Sequence, residues 1–274
     1  MPRVLILSSF VSASRVGGGA QALALARLGI EPVLVPTVLF GRHPGWGRPG
    51  GGAVDAATVQ GMLDGIEAQG GFSGVDAVIT GHFSTAEQVA VAARAIGAVR
   101  AASPGALIVV DPIMGDAGAG LYVKEAVAQA IAGELAPLAD LLCPNAWELE
   151  RLTDRPVFDP ASAVAAALVL RRPVMVSSVE AGAQIGVVYV DEGEAWLAAH
   201  ARAASAPNGT GDLLTALFSV ARITGESAAR ALELAVGGVA EAIAGSAGEP
   251  ELSVASMPAR LHASPRVRVE RLDG

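Results

Sequence analysis

The sequence predicts an α/β fold in three layers, with a mostly parallel central sheet covered by helices on both faces. Three observations carry this expectation. Short apolar runs rich in branched residues alternate with helix-length segments along most of the 274 residues. Hydrophobic residues make up 52% of the chain but aromatics only 4%, so Gly, Ala and Val must let helices pack closely on a sheet through small side chains. Strands separated by helices of this length need crossover connections, and those connections make neighbouring strands parallel.

The elements follow in order. The run VLIL at 4–7 ends at Ser8 and Ser9 and reads as a buried strand. Residues 20–28 have helical spacing and stop at Gly29, a C-cap residue. A second strand covers 31–38. Residues of about 41–53 are so rich in Gly and Pro that a long surface loop, a candidate flap, is expected there. Asp55 then introduces a helix reaching about Gln69. The alternation continues with a strand at 75–80, a helix at 84–101, a strand at 106–110 and a loop opening on Asp111-Pro112. A helix from about Val123 and the short strand DLLC lead to Asn145, followed by helical segments at 146–152 and 160–170. Three consecutive strand-like runs occupy 173–200, where hairpins would add an antiparallel edge. Helices are expected at about 210–222 and 226–244, and the alternation in SPRVRVERLDG suits a peripheral strand or a surface segment. No linker divides the chain, so 1–274 is expected to form a single domain, with the flap and a peripheral segment at about 258–274.

Composition excludes several classes of function. A formal net charge of -8 argues against nucleic-acid binding, which demands dense positive surface. Lys124 is the sole lysine, so phosphate chemistry would have to draw its neutralisation from backbone N–H groups, arginines and metal ions. The single cysteine, Cys143, can form no intrachain disulfide and is expected in the core. The amino end lacks the features of a signal peptide and no apolar run is long enough to span a bilayer, so a cytoplasmic location is expected.

In an open parallel sheet, ligands gather beyond the carboxyl ends of the strands. Ser8-Ser9, Thr80-Gly81-His82, Asp111-Pro112 and Asn145 all stand at such ends. The sharpest local signal is Asn208–Asp212, where Gly209, Thr210 and Gly211 precede an apolar helix. Two glycines permit close approach of an oxygen-rich ligand, and the helix start presents unpaired N–H groups that favour an anion. Asp212, in the first helical turn, could cap the helix or accept a proton from a substrate hydroxyl. On pattern alone, an ordinary glycine turn explains the same residues. Asp111 and Asp116 lie close enough in sequence to hold a hydrated magnesium ion against phosphates, or they are turn aspartates facing solvent. Asn145 and Glu148 are one helical turn apart and share a face. A P-loop, a dinucleotide fingerprint, a nucleophile elbow and histidine metal-ligand spacing are all missing from the sequence.

Together, SSFVSASRVGGGAQALALARLGIE, VLFGRHPGWG, VITGHFSTAEQ, DPIMGDAGAGLYV, PNAWELERLT and GTGDLLTAL resemble the vitamin B6 kinases, the pyridoxal kinase branch of the ribokinase-like superfamily. The resemblance covers most of the chain. It implies a ribokinase-like fold and ATP-dependent phosphorylation of the 5'-hydroxymethyl group of pyridoxal, and also of pyridoxine and pyridoxamine. It further implies that Gly209, Thr210 and Gly211 form an anion hole and that Asp212 is the base. Asp111, Asp116, Asn145, Glu148 and Ser177 correspond to positions around the ATP phosphates, with Asp111, Asp116 and Glu148 associated with magnesium. Ser9, His43, Trp46 and His82 correspond to substrate-binding positions. Arg15 stands where the family commonly has histidine and is a candidate phosphate contact. Trp46 and His82 stand where many members carry tyrosine, and Pro44 where threonine is usual. The expected partners are small molecules, ATP with Mg2+ and a B6 vitamer, alongside a monovalent cation and a homodimeric assembly. Two alternatives remain at this point, a hydroxymethylpyrimidine kinase and a catalytically weak nucleotide- or B6-binding protein.

Overall fold

The computed structural model describes residues 1–203, 207–249 and 251–272. The chain begins β1 (Arg3–Val11), α1 (Gly17–Arg27), β2 (Glu31–Phe40), β3 (Gly51–Ala53), α2 (Ala56–Ala68), β4 (Ala77–Thr80), α3 (Ala86–Ala102) and β5 (Leu107–Val110). It continues through a small hairpin, β6 (Gly115–Asp116) and β7 (Gly120–Leu121), to α4 (Glu125–Ala130), β8 (Leu141–Leu142), α5 (Ala146–Thr153) and α6 (Pro160–Val169). β9 (Val174–Ala181), β10 (Gln184–Asp191), β11 (Glu194–Ala201), α7 (Thr210–Ile223), α8 (Ala228–Gly245) and β12 (Val267–Arg271) complete it.

The large sheet runs in the order β12-β11-β10-β9-β8-β5-β4-β1-β2-β3. From β2 to β9 all neighbours are parallel. β10, β11 and β12 continue one side antiparallel, and β3 closes the other. The expected antiparallel extension after residue 173 is therefore present, and the carboxy-terminal alternation does form a peripheral strand.

The continuous apolar runs in the parallel strands follow from burial on both faces. In β1, Val4 and Ile6 enter a cluster with α1, α7 and α8, while Leu5 and Leu7 enter a second cluster with α2, α3 and α4. β4 and β5 repeat the division, sending Ile79 and Val109 one way and Val78, Ile108 and Val110 the other. A third cluster packs α6 on β9 and β10 through Ala163, Ala166, Val174, Val176 and Val188. Small residues set the helix spacing, as at Gly238 of α8, where an added Cβ would lie 2.5 Å from Leu217 of α7. Cys143 is buried and unpaired, as its sequence context predicts.

Local structure differs from expectation in three places. The 41–53 segment is more ordered than its composition predicts. It holds a 3-10 turn at Pro44–Trp46, capped by His43, and then pairs β3 with β2. The glycines tolerate this course because β3 needs only backbone groups to join the edge. The helix expected from Val123 starts at Glu125 and passes after six residues into a π turn and a 3-10 turn ending at Leu138. The DPIMGDAGAGLY loop contains the hairpin of β6 and β7, too short for a period-two pattern to reveal. Residues 204–206, which precede the glycine turn, lie outside the described residues.

Gln88 joins the flap to the sheet edge. It is fully buried, and its Nε2 donates to the carbonyls of Thr37 (2.8 Å) and Val54 (2.5 Å), while Oε1 accepts from Ser84 N–H at 2.8 Å. Replacing Gln88 with Leu leaves three backbone groups without this partner, so chemical denaturation should show a loss of about 2–4 kcal/mol. A loss under about 0.5 kcal/mol would show that those groups find other partners.

Candidate active site

The site assembles where the parallel strands end. Gly209 precedes α7 with φ of 91°, a left-handed conformation natural to glycine, and a Cβ there would lie 2.3 Å from the carbonyl oxygen of Arg15. Both features demand glycine at this position. The turn therefore seats directly on the loop between β1 and α1, and the first N–H groups of α7 are left without intrahelical acceptors. Gly209 is the N-cap and no side chain caps the helix, so Asp212 is not engaged as a cap.

Asp212 instead faces the 14–17 loop. The backbone N–H of Gly17 donates to Asp212 Oδ2 at 2.8 Å, while Oδ1 is buried and makes no hydrogen bond within the protein. Burial pushes this carboxyl up to about 6, with the Gly17 N–H pulling the other way. Gly17 is itself pinned, because a Cβ at that position would come within 2.0 Å of Ser9 Oγ. Ser9 is buried within β1, which runs on past the expected end at Ser8-Ser9 to Val11 after a register shift, and is thus brought beside the loop that holds Asp212. Gln21, one turn along α1, directs Nε2 to the Asp212 carbonyl at 3.4 Å, and Glu251 Oε2 accepts from Arg15 N–H at 2.8 Å. The Arg15 side chain is exposed.

Asp111 is 7% exposed at the end of β5. Burial first, then the charges of Glu148 and Asp212, hold its carboxyl well above the usual carboxylate range, against donors from Thr215 and the Ile113 backbone. These three carboxylates therefore lie close enough to interact. Ile113 sits two residues on with φ of 42°, an uncommon conformation for a β-branched residue.

Glu148 and Asn145 form a capping box at the start of α5, each side chain accepting from the other's backbone N–H at 2.9 Å. Glu148 Oε1 also accepts from Met114 N–H at 2.6 Å and Gly115 N–H at 3.3 Å, and Asn145 Nδ2 donates to the Gly115 carbonyl at 2.8 Å. The pair thus clamps the loop after β5 onto α5. Burial raises Glu148 to about 7 despite these donors. Ser177 bridges Asn145 in parallel register and donates its N–H to Pro144.

Asp116 is turned toward its own hairpin, where Oδ1 accepts from the N–H groups of Gly118 and Ala119, both at 2.7 Å, and Oδ2 accepts from the Tyr122 hydroxyl. The structure brings Asp111, Asn145, Glu148, Ser177 and Asp212 together but engages Asp116 in a turn. Among the described residues, no group of three or more His, Cys, Asp or Glu side chains is arranged to hold a metal ion. A cation held there would take most of its ligands from water and phosphate oxygens, the usual habit of magnesium.

After β4, His82 N–H donates to Ser8 Oγ at 3.3 Å, and the Thr37 hydroxyl donates to the His82 carbonyl at 2.5 Å. Burial lowers the imidazole to about 4, so it is neutral near pH 7 and offers one donor and one acceptor. His43 donates its N–H to Ser14 Oγ at 3.2 Å and stacks edge-on to Trp46, which is 41% exposed at the tip of the flap. Thr215, Gln21 and Glu251 were missed in the sequence. Thr215 had a signal, a polar residue three positions after Asp212 in an otherwise apolar helix, whereas Glu251 had none because its partner is 236 residues away.

Comparison with known proteins finds relatives over most of the chain. The sequence model of the phosphomethylpyrimidine kinase family matches residues 51–254. A pyridoxal kinase of Corynebacterium diphtheriae is 35% identical, covering 84% of this chain and 84% of its own. One from Deinococcus radiodurans is 38% identical, over 86% and 84% of the two chains. Pyridoxal kinase from Leishmania donovani, solved with ADP, superposes with a TM-score of 0.91 at 26% identity over 98% of this chain and 99% of that one. The same enzyme solved with ADP and pyridoxamine gives 0.91 at 27%, over 99% and 100%.

The raised carboxyl of Asp212 has a consequence for stability. A folded-state value of about 6 against 3.8 means that the group's favourable contribution is complete below pH 3.8 and is lost as pH rises through 6. Asp212→Asn removes the burial penalty of the charge while keeping an acceptor for Gly17. Melting curves should therefore show the variant more heat-stable than the parent above pH 6, with the gap closing toward pH 3.8. A variant that melts below the parent at pH 8 would contradict this.

Proposed function

We propose, from a chain that belongs to the phosphomethylpyrimidine kinase family, that this protein transfers the terminal phosphoryl group of ATP to the 5'-hydroxymethyl group of pyridoxal, and also of pyridoxine and pyridoxamine. Curated relatives that are kinases of B6 vitamers support the substrate class. The observation that carries the mechanism is Asp212, with one oxygen held by Gly17 and the other buried without a protein partner at the start of a helix.

In this reading Asp212 Oδ1 receives the proton of the substrate hydroxyl as its oxygen attacks phosphorus. A base with a carboxyl at about 6 is ionised at neutral pH yet more basic than an ordinary aspartate. The N–H groups of Thr210, Gly211 and Asp212 face charge growing on the transferred phosphoryl oxygens, where fixed dipoles need no reorganisation. Asn145 and Glu148 hold the loop after β5 in place, and Asp111, with Ser177 nearby, borders the nucleotide phosphates. Ser9 and neutral His82 supply hydrogen bonds to the ring substituents, and His43 and Trp46 cover the ring from the flap.

Magnesium would complete the site by neutralising phosphate charge. The gathering of Asp111, Glu148 and Asp212 suits a cation, because the protein itself leaves these like charges uncompensated. Asp111 is the direct or water-bridged contact we assign to it. Asp116 would join only after exchanging its turn contacts.

We read 1–274 as one kinase domain acting in the cytoplasm, where ATP is made. The assembly we propose is a homodimer. Phe10 and Leu39, paired across β1 and β2 and 39% and 50% exposed, give it an apolar contact beside the flap.

The family model itself favours a second reading, phosphorylation of a hydroxymethylpyrimidine, whose acceptor alcohol has the same chemistry. A side-by-side assay with Mg-ATP, the three B6 vitamers and hydroxymethylpyrimidine separates the two. The expected outcome is fastest transfer to pyridoxal; rapid pyrimidine turnover with no B6 product would overturn the assignment. In the same assay Asp212→Asn should lower kcat by about 10²- to 10⁴-fold, while calorimetry finds ADP bound about as well as by the parent. Turnover near the parent's rate would remove Asp212 from the role of base.

A further inference from the structure

The helix that carries the anion-binding turn makes a second connection to the site. Thr215 lies three residues after Asp212 on α7, on the same face of the helix, and is 2% exposed. Its hydroxyl donates to Asp111 Oδ2 at 2.8 Å, a bond buried at both ends. We propose that Thr215 is a positioning residue for phosphoryl transfer, fixing the Asp111 carboxylate relative to Asp212 so that the nucleotide and alcohol sites stay in register on one helix. The inference rests on the kinase reading above, and it assigns a role to a residue that touches neither substrate.

Three physical points support it. Asp111 faces the carboxylates of Glu148 and Asp212, and like charge repels it from both, so a donor on α7 is needed to hold it toward that helix. A hydrogen bond holds its geometry more firmly where water is excluded, and this one is buried at both ends. Threonine is branched at Cβ and stiff at χ1, so the donor's direction is set by the helix backbone. Where Gly17 anchors Asp212 to α1, Thr215 anchors Asp111 to α7, and the distance between base and nucleotide-side carboxylate is then a property of one helix.

The test uses the full-length protein with Thr215→Val, which keeps the shape and removes the donor, and Thr215→Ser, which keeps the donor. Thr215→Val should lower kcat by about 10- to 100-fold, the range for leaving a buried polar group without its hydrogen bond. It should raise KM for ATP several-fold and leave KM for the acceptor within about twofold. Thr215→Ser should restore kcat to within about threefold of the parent. A folded Thr215→Val protein with parental kcat and KM for ATP would overturn the proposal, as would a Ser variant as impaired as Val. Should Val fail to fold, Thr215→Ala replaces it, with the same expectations and the same contrast to Ser. Adding the substitution to Asp111→Asn provides an independent check, since a residue acting through Asp111 should cost little more once that carboxylate is gone. An additive loss would show that Thr215 acts elsewhere. The kinetics are run with whichever alcohol the parent phosphorylates, and ADP binding by calorimetry is read without any acceptor. An error in the substrate class is thereby distinguishable from an error about Thr215.

Discussion

The hydrogen bond from Gly17 N–H to Asp212 Oδ2 is the contact on which the rest of the site depends. It joins the loop after the first strand to the start of α7, two segments 195 residues apart. A single backbone donor offsets only part of the cost of burying a carboxylate, and the remainder appears as the elevated proton affinity of that group. Without the bond, Asp212 would have reason to rotate toward solvent, and the helix start would lose its neighbouring acceptor. The sheet supports this arrangement from below, since apolar residues on both faces fix β1, β4 and β5 and so fix the levels at which Ser9, His82 and Asp111 emerge.

Much of this was legible in the residues themselves. The buried parallel strands announced their position by apolar runs such as VLIL, and Asp55 and Asn145 marked helix starts as N-caps. Gly209 before an apolar helix marked the tight turn that opens α7. What periodicity could not carry was set by tertiary contact. β8 has two residues in strand form and β3 three, too few for a pattern, and both exist because a neighbouring strand offers them a ladder.

The orientation of acidic side chains was least legible. In sequence Asp116 stands in a glycine-rich loop and Glu148 one turn into a helix, and neither position tells where its carboxylate points. In the structure Asp116 closes its own hairpin, while Glu148 reaches from α5 to the backbone after β5. The difference follows from which backbone donors lie within reach, and those donors are brought there by folding. Glu148 thereby sets the shape of the loop after β5. That shape includes a left-handed isoleucine, which costs energy when isolated and persists because the clamp on Met114 and Gly115 holds the chain that follows it.

The seating of Gly209 against the Arg15 carbonyl has a consequence for how this protein can change over evolutionary time. With no room for even one methyl group between the two segments, neither can be lengthened or shortened unless the other is altered to match. Surface loops ordinarily absorb insertions with little penalty, but here the segments around residues 15 and 209 are locked as a mortise to its tenon. Change in the early loop is therefore expected to fall on side chains pointing outward, such as the exposed Arg15, while the backbone courses of the two segments can change only together.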